Sequence, residues 1–80
     1  MEKSLDLLTK GEKGVIKLVK GEGVIRRRLF DMGVTPGAEV ELVKKAPLGD
    51  PLEYKIRNYA LTLRKKEAES VIVVLKEEAK

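Results

Sequence analysis

Residues Gly21 to Gly37 read GEGVIRRRLFDMGVTPG, and within this run the apolar positions change period. Ile25, Leu29 and Met32 recur at spacings of four and three, which puts them on one face of a helix spanning Glu22 to Met32. Gly33 can take the left-handed conformation that closes a helix, and Pro36 prevents its resumption. Pro36 and Gly37 then suit the two central positions of a type II turn, so a strand should begin directly afterwards.

Working outward, the remaining pattern is that of short strands. Val15 to Lys20, bounded by Gly14 and Gly21, has the length and β-branched content of a first strand. On the other side Ala38, Val40 and Leu42 alternate with Glu39 and Glu41, the pattern of a half-buried antiparallel strand. Ala46 to Pro51 holds two prolines and a glycine and reads as an exposed loop. Leu52, Tyr54 and Ile56 alternate with Glu53, Lys55 and Arg57 as a third strand. Asn58, which tolerates positive φ, turns the chain into a fourth strand at Leu61 and Leu63. Arg64 to Ser70 suits about one to two helical turns. Val71 to Leu75, apolar at every position, reads as a strand covered on both sides. Ser4 to Leu8 reads as a helical turn or staple against the core, and Lys76 to Lys80 as a solvated tail. The sum is a mainly β chain: a small, SH3-like, five-stranded barrel with one helix after the first strand and a short helical turn before the last.

Eighty residues make a single domain, with its core at about residues 5–75. Such a chain buries only about 60% of its unfolded surface. It has no cysteine and no histidine, so neither a disulfide nor a zinc site of that chemistry supports the fold. The 17 Lys and Arg against 13 Asp and Glu leave a net charge of +4, compatible with an acidic protein, a nucleic acid or an anionic membrane face. Nothing near the N-terminus reads as a secretory leader, and no apolar run is long enough to span a bilayer, so a cytoplasmic location without direct membrane insertion is expected.

The run from Gly21 to Gly37 and the run APLGDP at Ala46 to Pro51, with ALTLR at Ala60 to Arg64 and Glu67-Ala68 behind them, closely resemble the FeoA family of ferrous-iron-transport proteins. The likeness covers about residues 5–74. It implies an SH3-like barrel and an accessory role beside FeoB, the membrane transporter of ferrous iron with a GTP-binding domain, on that domain's side. The same barrel occurs at the C-terminal end of iron-dependent transcriptional repressors, so an alternative role in gene control shares the fold. Asn58 stands where many relatives carry glycine, a replacement that keeps the turn.

The residue chemistry argues against catalysis. General acid-base work at neutral pH usually falls to histidine, and none of Ser4, Thr9, Thr35, Thr62 and Ser70 has an activating base beside it in sequence. The Gly21-Glu22-Gly23 run lacks the rest of a phosphate-binding loop. Ferrous sites usually draw on imidazole or thiolate, and the acidic pairs Glu67 with Glu69 and Glu77 with Glu78 read as solvated surface. No enzyme activity, cofactor or metal site is therefore expected.

What remains is binding. With Ile25, Leu29 and Met32 inward, a turn of about 100° per residue puts Phe30 nearly opposite, beside Arg26 and Arg27. An aromatic flanked by arginines is a composition favoured at interface hot spots. Either Phe30 is exposed for docking, or the Leu5 to Leu8 segment covers it and Arg26 pairs with Glu22 as ordinary helix surface. Leu48, on a loop stiffened by Pro47 and Pro51, is a second docking candidate. The expected partner is FeoB, with a homo-oligomer as a further possibility. Three aromatics and 13 acids argue against nucleic acid.

Overall fold

A computed structural model describes residues 1–76. Its elements are β1 (Glu2–Ser4), a single 3-10 turn (Leu5–Leu7), β2 (Lys13–Val19), α1 (Gly23–Asp31), β3 (Glu39–Lys45), β4 (Leu52–Ile56), β5 (Tyr59–Leu63), α2 (Lys65–Ala68) and β6 (Val71–Leu75). All strand pairs are antiparallel, in the order β1-β6-β2-β3-β4-β5.

The helix, the four middle strands and the helical turn before the last strand fall where the sequence pattern puts them. The strand count differs: the sheet has six strands where five were expected. The extra one, β1, pairs with β6 through Glu2 opposite Val74 and Ser4 opposite Ile72. Glu-Lys-Ser has no strand pattern of its own, and its conformation comes from the ladder groups that β6 would otherwise leave unpaired. Of the expected solvated tail, Lys76 is described, and its side chain is exposed. Lys76 donates its backbone N–H to Lys13 O at 3.0 Å, and its ammonium pairs with Glu39. Glu77, Glu78 and the rest of that tail lie outside the described residues.

Two register shifts adjust which residues face inward. One, between Ile16 and Leu18, leaves Lys17 and Leu18 both exposed and keeps Ile16 and Val19 buried. The other lies between Leu42 and Lys44. The core they complete is centred on Tyr54, which is fully buried with its hydroxyl donating to Leu5 O at 2.9 Å. Burial, and then nearby Asp6, pushes the pKa of that phenol above its ordinary value, so the hydroxyl keeps its proton. Leu5 and Leu8 are fully buried, so the expected N-terminal staple exists. β6 differs from expectation: Val71 and Val73 face the core, while Val74 is 38% exposed. Only one side of that strand is fully covered.

Near the N-terminal turn, Glu12 accepts the Thr9 N–H at 2.9 Å and pairs with Lys3 at 3.2 Å. The Thr9 bond, helped by Lys3 and partly opposed by desolvation, holds the Glu12 carboxyl below the usual range. A folded-state value below the unfolded one gives stability that is present above the ordinary glutamate range and lost as pH falls through the lowered value. Glu12→Gln should therefore show a smaller fall in Tm than the parent between neutral pH and about pH 3. Equal acid sensitivity of the two chains would contradict this.

Candidate docking face

The helix α1 is held on the sheet mainly through its C-terminal half. Leu29 is its one fully buried residue, and Phe30 and Met32 pack half-buried on the core. The helix ends in a Schellman arrangement: Val34 N–H donates to Leu29 O at 2.9 Å and Gly33 N–H to Phe30 O at 3.0 Å. Gly33 sits at φ +94°, which glycine adopts without strain. Leu29 and Val34, both fully buried, supply the apolar contact that accompanies this cap.

Three further contacts fix the helix. The Tyr59 hydroxyl on β5 donates to the Met32 carbonyl, in the space that a side chain at Gly33 would occupy. Arg57 donates to Thr35 Oγ1 at 3.1 Å, next to the turn in which Ala38 N–H meets Thr35 O at 3.1 Å across Pro36 and Gly37. Arg57 and Asn58 have φ values of 50° and 81°, so the β4 to β5 turn takes the positive-φ form expected at Asn58. Arg28 pairs with Glu67 at 3.4 Å, while the other Glu67 oxygen accepts the Arg64 N–H at 2.9 Å. Arg28 therefore ties α1 to α2.

The exposed part of α1 brings the three predicted residues together, in a different arrangement from the one expected. Arg26, Arg27 and Phe30, with Gly23 and Asp31, line one open depression. Phe30 does not stand opposite the core. It is half-buried, and the Arg26 guanidinium lies over its ring at 4.6 Å. Arg26 Nε also points to Val19 O at 3.4 Å, so Arg26 engages Phe30 and the backbone of β2, and no Glu22 pair forms. Ile25, expected inward, is 37% exposed.

Arg27 has no ion-pair or hydrogen-bond partner among the described residues. Val24 beside it is 81% exposed, and the two share a second depression with Gly23. Val24 was missed in the sequence reading. Its signal was present, since it falls off the Ile25, Leu29 and Met32 stripe and within one turn of Arg27. Leu48 is 94% exposed at the tip of the β3 to β4 loop and lines neither of the two depressions on α1. The helix leads into β3 and the loop leaves it, so the two candidates are separate surfaces. Among the described residues no three acidic side chains converge as metal ligands, and no helix is long and apolar enough to cross a membrane.

Residues 3–75 match the FeoA domain family. The chain belongs to that family. A FeoA-like protein from Clostridium acetobutylicum, solved by NMR, is 33% identical with a TM-score of 0.89, over 99% of this chain and 92% of that one. Stenotrophomonas maltophilia FeoA, solved with zinc and described as a procaryotic SH3 domain protein, is 31% identical with a TM-score of 0.76, over 92% of this chain and 89% of that one. A segment of a Porphyromonas gingivalis Fe(2+) transport protein A/Fe(2+) transporter FeoB fusion protein is 39% identical over 71 residues. That match takes in 89% of this FeoA domain and 8% of the fusion protein. A manganese-dependent transcriptional repressor also superposes, with a TM-score of 0.86 over 94% of this chain and 42% of that one, at 13% identity. That likeness concerns the fold alone.

Proposed function

We propose that this FeoA domain is a non-enzymatic accessory module that docks on FeoB at the cytoplasmic side, where the GTP-binding domain lies, and supports ferrous-iron uptake. The observation that carries this reading is the fusion relative, in which a FeoA-like segment and FeoB share one chain. A covalent link holds two modules at effective concentrations of about millimolar, which is useful where they work in contact. The docking face in this reading is α1, centred on Arg27 and Val24 and framed by the Arg26 and Phe30 stack.

That face suits binding physically. The Arg26 side chain is already ordered by Phe30 and Val19, so little of its conformational freedom remains to be lost on contact. Arg27 is unpaired and Val24 is bare, so a partner offering a carboxylate beside an apolar side chain would satisfy both. Cells that carry FeoB but lack the domain provide the test, by ferrous-iron uptake on complementation. The parent domain should restore uptake, and an Arg26→Ala, Arg27→Ala, Phe30→Ala triple variant that remains folded should restore about a tenth or less. Full restoration by a folded triple variant would overturn the assignment of this face.

A further inference from the structure

The end of the barrel where β3 passes to β4 carries a separate surface of different chemistry. The pairs Lys44 with Glu53, Lys45 with Leu52, and Leu52 with Leu63 set the end of β3, the start of β4 and the end of β5 side by side. Asp50 accepts the backbone N–H of Lys65 at 2.9 Å, which ties the first turn of α2 to the same loop. Lys44, Lys45, Arg64, Lys65 and Lys66, all exposed, thereby lie on the segments that flank the loop, and Leu48 is 94% exposed on that loop. Among the described residues none of these five side chains forms an ion pair. The acids of the loop and of β4 beside it are Asp50 and Glu53, and Asp50 is engaged by the α2 backbone. Glu67 faces Arg28 and the Arg64 backbone. The loop itself is ordered, with Ala46 N–H on Pro51 O at 3.1 Å and Gly49 N–H on Ala46 O at 2.8 Å.

We infer that this end of the barrel rests on an anionic lipid surface, with Leu48 entering the headgroup region and the flanking cations facing lipid phosphates. Charge complementarity carries the assignment. Lysine is a flexible point charge that meets phosphates without demanding a fixed geometry, and four of the five cations are lysines. An exposed apolar loop residue flanked by cation-bearing segments matches the layering of a bilayer surface, apolar beneath charged. Single-stranded nucleic acid would call for stacking aromatics, and the loop from Ala46 to Pro51 has none. Each cation near such a surface raises partitioning about fivefold, so the contact is weak, reversible and salt-sensitive.

The test needs no FeoB, so its outcome is independent of the docking proposal. The domain is sedimented with vesicles of phosphatidylcholine containing phosphatidylglycerol, and with phosphatidylcholine alone, at low and high sodium chloride. Binding is expected on the anionic vesicles only and should fall with salt. Lys44→Gln with Lys65→Gln should lower partitioning about 30-fold, Leu48→Asp should lower it further than salt alone, and Arg27→Gln should change it by no more than about twofold. Circular dichroism of each variant confirms that the fold persists, as expected for exposed side chains. Absence of binding, equal binding to both vesicles, or loss on Arg27→Gln but not on the lysine pair would overturn the inference. So would an oligonucleotide gel shift abolished by the lysine pair in the absence of vesicle binding, which would make these segments a nucleic-acid surface.

Discussion

Leu29→Ala should destabilise the domain by about 2–5 kcal/mol, measured as the shift in free energy of unfolding in urea. Leu29 is the only side chain by which α1 is fully inserted into the core, and the Schellman partner Val34 packs there as well. Truncation removes its transfer energy and leaves a cavity that the rigid sheet beneath cannot readily collapse. Total stabilities of small domains are only about 5–15 kcal/mol, so this one change is large by comparison. Amide exchange of the Val24 to Phe30 segment should quicken more than that of β3 and β4, because the helix loses its anchor while the ladder remains. A loss below about 1 kcal/mol would mean that polar contacts, and not Leu29, hold the helix.

The second large effect is expected at Gly33. Gly33→Ala should cost about 2–3 kcal/mol: about 1–2 for a side chain at positive φ, and about 1 for expelling the Tyr59 hydroxyl from the Met32 carbonyl. Tyr59→Phe alone should cost about 1 kcal/mol. In the Gly33→Ala background the hydrogen bond is already lost, so Tyr59→Phe should add almost nothing, giving a coupling of about 1 kcal/mol in a double-mutant cycle. Additive losses would show that Tyr59 does not act through the helix end. Tyr59 touches no part of the proposed docking depressions, so any loss of FeoB affinity in Tyr59→Phe would report positioning of α1.

Local chemistry was the part of this fold that the sequence made legible. Gly33, the Pro36 and Gly37 turn, the alternation in β3 and β4, and the positive φ at Asn58 each follow from residues acting on their own backbone. Features created by neighbours were not legible. β1 owes its conformation to the open edge of β6, and β6 keeps Val74 partly bare because no second layer covers it. The helical face was read correctly at Leu29 and Met32, which pack on the core, and wrongly at Ile25, which is 37% exposed. A projection assumes that the whole helix lies on the core, whereas the one fully buried residue of α1, Leu29, sits in its C-terminal half and Ile25 stays partly exposed. Phe30 packs half-buried on the core, and Arg26 lies over its ring. Residue types at the site were therefore recoverable, and their division of labour was not: Arg26 is the ordered wall, while Arg27 and Val24 are the free groups.

The role of α1 as the FeoB docking face is tested most directly by titrating this domain into purified full-length FeoB and comparing the parent with Arg27→Glu and Val24→Asp. The account predicts saturable binding that each substitution weakens by at least about tenfold, with unchanged circular dichroism and unchanged Tm. Parent-like affinity in both folded variants would contradict it.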